Sequence, residues 1–173
     1  FRFPNSDNGL HNFTFNLHSG QLVAVMGGSG VGKSTLFTIL NGAMKPDSGA
    51  VLINGEPLEW HKDLIGFVPQ DDLLIEELTV WENLMFTARF CFGDETDEQL
   101  SERVTACLTD LDLLEFADLK VGSPLNKTIS GGQRKRLNIA LELIRQPAIL
   151  FLDEPTSGLS SADSEKVILL LKQ

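Results

Sequence analysis

Cysteine is scarce in this chain of 173 residues, with only Cys91 and Cys107 present. Their positions do not match the spacing of metal-ligand pairs, so a cysteine-ligated metal is not expected. A reducing compartment is therefore the default for this protein.

Long hydrophobic runs are also missing. The longest wholly apolar stretches are 22–26, 148–152 and 167–171, far shorter than the roughly 20 residues that a membrane-spanning helix needs. The first residues lack the basic-then-apolar layout of a secretion signal. We therefore expect a soluble chain, which can still dock on a membrane-embedded partner.

Positive charge is in deficit, because 14 Lys and Arg stand against 24 Asp and Glu, for a formal net charge of -10. Such a surface repels phosphate backbones, so nucleic acid is not expected as a partner. Any anion that binds must be held by a local group of donors or positive charges. The remaining composition, 42% hydrophobic and 22% charged, excludes a mostly disordered, collagen-like or coiled-coil chain.

Strand patterns alternate with helical patterns along the chain. Phe13, Phe15 and Leu17 alternate with polar residues and predict an amphipathic strand, and the run 22–26 predicts a buried central strand. Further strands are predicted at 51–53, 65–68 and 148–152, and helices follow Lys33, Gly131 and about Ser161. This order predicts an α/β fold with a largely parallel sheet.

The middle of the chain is different, because it carries helical signals only. Thr79 and Glu82 form a capping box that predicts a helix toward Phe90. A second helix is predicted from one apolar face: Leu100, Val104, Cys107, Leu108 and Leu111. Residues 72–127 are therefore expected to form a mainly helical insertion.

A glycine-rich loop lies between the predicted strand 22–26 and the next helix, and 27–34 fit the pattern G-x-x-x-x-G-K-[ST]. Glycines let consecutive N–H groups point inward at phosphate oxygens. Lys33 can reach the β- and γ-phosphates, and the Ser34 hydroxyl can ligate Mg²⁺. The weaker alternative is a chance match of a glycine-rich turn. The predicted phosphate-binding residues are Gly27, Gly28, Ser29, Gly30, Val31, Gly32, Lys33 and Ser34.

Two acids, Asp153 and Glu154, directly follow the predicted buried strand 148–152. Ligands of open α/β sheets lie outside the carboxyl ends of the strands, so Asp153 is expected to hold Mg²⁺ beside Ser34. Glu154 is expected to orient or deprotonate an attacking water. The alternative for both is a helix-capping acid or a solvated loop pair.

A second glycine loop, formed by Ser130, Gly131, Gly132 and Gln133, precedes a predicted helix. One interpretation is a plain helix start, in which Ser130 and Gln133 form a capping box. The other uses the exposed N–H groups and the helix dipole as a second phosphate site. Because one chain would hardly place both loops on one γ-phosphate, the second site should serve the nucleotide of another subunit.

With these motifs in this order, the chain resembles the ATP-binding cassette nucleotide-binding domains, and is most similar to the White/ABCG-type branch. The resemblance runs essentially from end to end. It rests on the loop 27–35, FVPQDD at 67–72, LTVWENL at 78–84, VGS at 121–123, SGGQRKR at 130–136 and DEPTSGL at 153–159.

The resemblance implies a role for each motif. The first loop, extended by Thr35, resembles the Walker A motif, and Gln70 resembles the Q-loop glutamine that meets Mg²⁺ and the attacking water. Asp153 resembles the Walker B metal carboxylate, and Glu154 resembles the catalytic base. The loop 130–133 resembles the signature motif, which acts in trans on the other protomer's γ-phosphate.

Phe3 sits where the family often has its adenine-stacking aromatic. A ring at this position can stack on the base. The alternative is a core phenylalanine at a strand edge.

The family's fold is a P-loop NTPase core with a mainly parallel sheet, N-terminal antiparallel strands and a helical subdomain. On this chain it implies an α/β core of 1–71 and 145–173, and a helical subdomain of 72–144. The implied ligands are ATP and Mg²⁺. The implied partners are a second nucleotide-binding domain, identical or not, and a transmembrane domain on the same longer chain or on another subunit, with this chain at the cytoplasmic side.

Two departures from the family pattern stand out. Ser160 occupies the position after Thr-Ser-Gly-Leu where the family usually has an aspartate that contacts the other protomer. The chain also ends before the family's switch histidine, whose role His11, His18 and His61 cannot fill. We therefore expect a fragment of a longer protein, with hydrolysis weak or absent in isolation.

Several residues invite alternative interpretations. The basic residues 134–136 are expected to form a solvated helix face rather than a nucleic-acid patch. Asn126 and Lys127 resemble a guanine-reading motif, but its aspartate is absent at Ile129. Trp60 and Trp81 are expected to be packing residues.

Two functions remain open from the sequence. The first is ATP hydrolysis that drives head-to-tail dimer closure and opening and powers transport across a membrane. The alternative is a soluble ATPase of the same family that acts as a nucleotide-gated clamp on a protein or nucleic-acid complex. The acidic surface weighs against the nucleic-acid form of the clamp.

Overall fold

The computed structural model describes residues 1–3, 9–11, 13–123 and 128–171. The chain divides into two compact units, Phe1–Ile65 and Gly66–Gln173. Within the described ranges, no helix combines the length and the apolar character needed to cross a membrane. Asn126 and Lys127 lie outside the described residues.

Among its described residues, the first unit contains one α-helix, one short hairpin and two 3-10 helices, Leu58–Trp60 and Lys62–Leu64. Helix α1 spans Lys33–Leu40, as predicted, and buries Leu36 and Ile39. Strands β1 (Leu52–Ile53) and β2 (Glu56–Pro57) pair in antiparallel fashion. Asn54 and Gly55 join them with φ values of 53° and 84°, the left-handed backbone that a type I′ hairpin turn requires.

Two strand predictions in the first unit are wrong. Residues 13–17 and 22–26 have no regular secondary structure, and their side chains are exposed, up to 86% for Met26. An apolar pattern indicates which side chains a strand could bury. A strand also needs a second strand whose backbone forms hydrogen bonds with its own. In the part of the chain that the structure describes, no strand pairs with these residues.

In its described residues, the second unit has a two-stranded sheet, four α-helices and a 3-10 helix, Leu114–Phe116. Strand β3 (Ile65–Val68), whose first residue ends the first unit, pairs in parallel with β4 (Ile149–Leu152). Both were predicted, although β4 is only half-buried. The four helices are α2 (Val80–Cys91), α3 (Asp97–Asp110), α4 (Gly131–Leu143) and α5 (Ser161–Leu170).

Helices α2, α3 and α4 enclose the larger core. Leu84, Val104 and Leu137, one from each helix, are fully buried in it. The predicted helical character of the middle segment is confirmed. Trp81 packs against this core, as expected, whereas the expectation for Trp60 is wrong, because this residue is 69% exposed.

Candidate nucleotide-binding site

Backbone conformation and one lysine shape the loop 27–32. Gly30 and Gly32 have φ values of 79° and 101°, which side-chain-bearing residues rarely adopt. The Lys33 ammonium donates to the carbonyl oxygens of Gly27 and Gly28, at 3.0 Å each. The loop therefore curls around the lysine side chain and directs a positive charge into its own concave face.

The N-terminus of α1 has no side-chain cap among the described residues. Its N-cap residue, Gly32, has no side chain to accept from the first turn, and that turn contains no acidic residue. Each of α2, α3, α4 and α5 instead has a Ser or Thr N-cap that accepts such a bond. The positive end of the α1 dipole is thus available to an anion.

The other predicted residues of the first unit differ in exposure. Ser29 and Ser34 are exposed, and Thr35 is half-buried. Phe3 is exposed by 40%, and its ring meets Phe1 edge to face, with centroids 5.1 Å apart.

In the second unit, Asp153 and Glu154 follow β4 with contrasting environments. Asp153 is buried, at 8% exposure, and its N–H donates to the carbonyl of Val68 at 2.9 Å. Glu154 is exposed and has a φ of 48°. A left-handed glutamate costs of order 1 kcal/mol or more, and such strain concentrates at functional sites.

Gln70 follows β3 in an exposed bend. Its backbone carbonyl accepts a hydrogen bond from the Lys135 ammonium at 3.1 Å, and the carbonyl of Pro69 accepts another at 3.3 Å. Lys135 was not among the predicted site residues. The sequence signal that could have found it is the run of acids, Asp71 and Asp72, directly after Gln70.

The expectation of a solvated face at 134–136 is wrong, because Arg134, Lys135 and Arg136 are buried at 5–7% exposure. Arg134 forms a two-pronged ion pair with Asp72, at 2.9 and 3.2 Å. Arg136 lies 3.9 Å from Asp163. The face was misjudged because other segments cover the polar side of α4 from 134 to 140. Arg134 and Lys135 donate to polar groups of those segments, whereas Nε and Nη1 of Arg136 have no hydrogen-bond partner among the described residues.

Burial lowers the pKa of Lys135, and nearby carboxylates oppose this shift, in the order Asp72, Asp153, Asp71 and Glu154. The ammonium is therefore an electrostatic neighbour of both acids that follow β4.

The glycine loop at the start of α4 has the capping-box geometry. The Ser130 hydroxyl accepts from the Gln133 N–H at 3.1 Å, and the Gln133 side chain accepts from the Ser130 N–H at 2.6 Å. A Cβ at Gly132 would come within 2.6 Å of an Asp163 oxygen. Glycine is thus required there by packing, while Gly131 is exposed.

Ser160, the departure from the family pattern, is the N-cap of α5. Its hydroxyl accepts from the Asp163 N–H at 3.1 Å and donates to the Asp163 carboxylate at 2.8 Å. The serine therefore keeps the local helix start well formed.

The donor set predicted for Mg²⁺ is chemically suitable. The described residues contain no cluster of three or more His, Cys, Asp and Glu that could hold a metal. The hydroxyl of Ser34, the amide oxygen of Gln70 and the carboxylate of Asp153 are each a hard oxygen donor of the kind that Mg²⁺ prefers.

The predicted site residues divide between the two units. The first unit holds Phe3 and 27–35, and the second holds Gln70, 130–133, Asp153 and Glu154. Within the second unit, Lys135 connects Gln70 to the charges of Asp153 and Glu154.

Comparison with known proteins defines the class of this chain. The model of the ABC transporter family matches residues 10–157. ABC transporter G family member 23 of Arabidopsis thaliana is 43% identical over 171 residues, which cover 94% of this chain and 27% of the relative. The mouse broad substrate specificity ATP-binding cassette transporter ABCG2 is 45% identical over 156 residues, 88% of this chain and 24% of the relative.

A solved structure agrees with these relatives. cbiO1 of Clostridium perfringens, part of the ABC transporter complex cbiONQ, has a TM-score of 0.80 at 32% identity, covering 91% of this chain and 63% of that one.

The chain belongs to the ABC transporter family, with the α/β fold of its P-loop ATPase domain. Domains of this class bind nucleotide and hydrolyse ATP. The chain spans about a quarter of the length of the G-family relatives described.

Proposed function

We propose that this chain binds ATP at the loop 27–34 and hydrolyses it to drive transport by a longer protein. The observation that carries the proposal is the Lys33 loop at the uncapped N-terminus of α1. Both features supply positive charge at one place on an otherwise acidic chain, which is what a triphosphate requires.

The chemistry divides among a few residues. Lys33 gives up its hydrogen bonds to the carbonyl oxygens of Gly27 and Gly28 and binds the β- and γ-phosphate oxygens instead. Ser34, Gln70 and Asp153 are the proposed holders of Mg²⁺, which when bound neutralises phosphate charge. Glu154 accepts the proton of the attacking water, and Phe3 stacks on the adenine.

The second phosphate site is proposed to act across a dimer. In a head-to-tail pair, the start of α4 in one protomer faces the γ-phosphate held by the other. Gly131 and the Ser130 hydroxyl are exposed in the chain and available to that phosphate. ATP closes the pair, and hydrolysis reopens it.

Transport is favoured over the clamp function by the relatives, whose names describe transporters. Because this chain covers about a quarter of their length, the membrane-spanning part is proposed to lie elsewhere on the same protein or on a partner subunit. The cytoplasmic face of a membrane is the corresponding location.

A groove of about 560 Å³ in the second unit suits such a membrane partner. Phe90, Phe92 and Leu141 give it apolar walls. The buried side-chain N–H₂ of Asn138, which lines the groove, has no hydrogen-bond partner among the described residues. We propose that a segment of the membrane domain fills the groove and packs against these apolar walls.

Substitution of Lys33 tests the nucleotide site. Lys33→Ala removes a charged donor to the phosphates, a contact of about 1.5–3 kcal/mol, so the affinity for a fluorescent ATP analogue should fall about 10-fold to 100-fold. Lys45→Ala, at an exposed lysine of the same unit, is the matched control and should leave affinity unchanged. Equal affinity in the two variants would contradict the site.

Fractionation of the native full-length protein separates the two functions. Transport predicts recovery with membranes, whereas complete recovery in the soluble fraction would favour the clamp.

A further inference from the structure

Asp163, in the first turn of α5, lies where α5 meets the loop 130–133. Its carboxylate accepts a hydrogen bond from the Ser160 hydroxyl at 2.8 Å, and the same hydroxyl accepts one from the Asp163 N–H at 3.1 Å. The oxygen that accepts from Ser160 is Oδ2, and the other oxygen, Oδ1, faces α4. One carboxylate therefore contacts both the start of α5 and the start of α4.

The contact with α4 is made at Gly132 and leaves no room for a side chain there. A Cβ on Gly132 would lie 2.6 Å from Oδ1, 2.7 Å from Cγ and 3.1 Å from Cβ of Asp163. Gly132 lies within the helix and does not have a positive φ, so its backbone conformation does not itself require glycine. The close approach of the Asp163 carboxylate is what requires it.

The same oxygen also faces a buried cation one turn further along α4. Arg136 is 5% exposed, and its Nη1 lies 3.9 Å from Oδ1 of Asp163. Within the described residues, Nε and Nη1 of Arg136 form no hydrogen bond. A buried guanidinium of this kind depends on a nearby opposite charge, which favours the carboxylate staying in its place beside Gly132.

We infer that Asp163 is a positioning residue for the loop 130–133, which it holds in the place from which the loop meets the nucleotide of a second copy of this chain. The inference rests on the proposed dimer. Asp163 acts through Gly132 and is not itself proposed to touch the phosphate. Without the carboxylate, the loop keeps its own capping box of Ser130 and Gln133 but loses the contact that sets its position against α5.

Substitutions at the two ends of this contact separate position from fold. Asp163→Ala removes the carboxylate, whereas Asp163→Asn keeps its shape and an oxygen acceptor for the Ser160 hydroxyl. Gly132→Ala forces a methyl group against the carboxylate. In the double variant, Asp163→Ala removes the two atoms that this methyl would approach most closely, so the second change should relieve the first.

The test measures the dissociation constant of the Mg-ATP dimer by sedimentation, with Glu154→Gln in every protein. Asp163→Ala and Gly132→Ala should each weaken pairing about 10-fold to 100-fold, because each dimer contains the altered contact twice. Asp163→Asn should stay within about threefold of the parent. The double variant should pair at least as well as Gly132→Ala, whereas independent losses would multiply. Glu165→Ala, at an exposed acid of α5, is the matched control and should not change pairing.

Thermal unfolding and the affinity for a fluorescent ATP analogue, measured on the same proteins, distinguish the outcomes. A Glu154→Gln parent that binds the analogue and stays monomeric would contradict the proposed dimer, and this inference with it. A parent that dimerises, together with a folded Asp163→Ala that pairs as tightly as Glu165→Ala, would overturn the positioning role alone. If Asp163→Ala does not fold, equal pairing of Gly132→Ala and Glu165→Ala would overturn it in the same way.

Discussion

Arg134 and Asp72 form a two-pronged ion pair between a buried guanidinium of α4 and an exposed carboxylate in the segment after Gln70. The same guanidinium donates through its remaining nitrogen to the carbonyls of Val121 and Gly122. One side chain thus holds three segments of the second unit together. The start of α4 and the Gln70 segment are therefore fixed relative to each other by this contact.

Removal of this arginine should destabilise the protein strongly. Arg134→Ala leaves the carbonyls of Val121 and Gly122 without their donor and removes the partner of Asp72, at a cost of about 1–3 kcal/mol in the free energy of unfolding. Arg145→Ala removes an arginine that pairs at the surface with Glu142, and should cost less than about 1 kcal/mol. Urea unfolding followed by circular dichroism measures both. Equal losses in the free energy of unfolding would show that the contacts of Arg134 stabilise the protein no more than a surface ion pair does.

The burial of Arg134 could not be read from the sequence. Helical spacing at Leu137, Ala140, Leu141 and Ile144 indicates one apolar face and leaves the remainder of α4 undetermined. In the structure, every residue from 134 to 140 is buried, so neighbours cover the polar side as well. Those neighbours come from distant segments, such as the loop of Asp72, which local patterns do not locate.

Short sequence motifs predicted the structure correctly where residues close in sequence supply the hydrogen bonds or the backbone conformation of a helix start or a turn. Thr79 with Glu82, and Ser130 with Gln133, form the capping boxes that their spacing predicted. The hairpin at Asn54 and Gly55 is likewise set by two turn residues. The strand predicted at 22–26 is absent from the structure. A strand depends on a pairing partner elsewhere in the chain, which the apolar composition of the run does not supply.

The two functions of Ser130 can be separated by mutation. Ser130→Ala and Thr96→Ala each remove the N-cap of a capping box, and each should cost about 1 kcal/mol of stability. Only Ser130→Ala should also weaken ATP-dependent dimerisation, because the Ser130 hydroxyl is proposed to contact the partner's γ-phosphate. Thermal unfolding and sedimentation with Mg-ATP measure the two effects. Equal dimerisation in both variants would leave Ser130 as a cap alone.

The two cysteines should differ in reactivity. Cys91 is exposed, whereas burial, with a smaller contribution from Asp110, raises the pKa of the Cys107 thiol to about 12. At pH 8, a thiol reagent such as DTNB should label Cys91 rapidly and Cys107 only after unfolding, since the thiolate is the nucleophile. Rapid labelling of two thiols in the native chain would contradict this.

The raised pKa of Cys107 also predicts a pH dependence of stability. Below about pH 8.5, the thiol is protonated in both states and contributes no slope. Between there and about pH 12, the unfolded state loses the proton and the folded state keeps it, so stability falls as pH rises. The free energy of unfolding, measured between pH 8 and pH 10.5, should fall more steeply in the unmodified chain than in Cys107→Ala. If the free energy of unfolding fell equally with pH in both proteins, the pKa of Cys107 would not be raised in the folded state.

ATP-dependent pairing through the loop 130–133 is the central claim, and the solution mass of Glu154→Gln with and without Mg-ATP tests it most directly. The amide cannot accept the water's proton, so ATP should remain bound and the mass should double. A monomer that still binds ATP would contradict the pairing and leave the nucleotide site intact. Adding Ser160→Asp, the family's usual residue, would then show whether the serine is responsible.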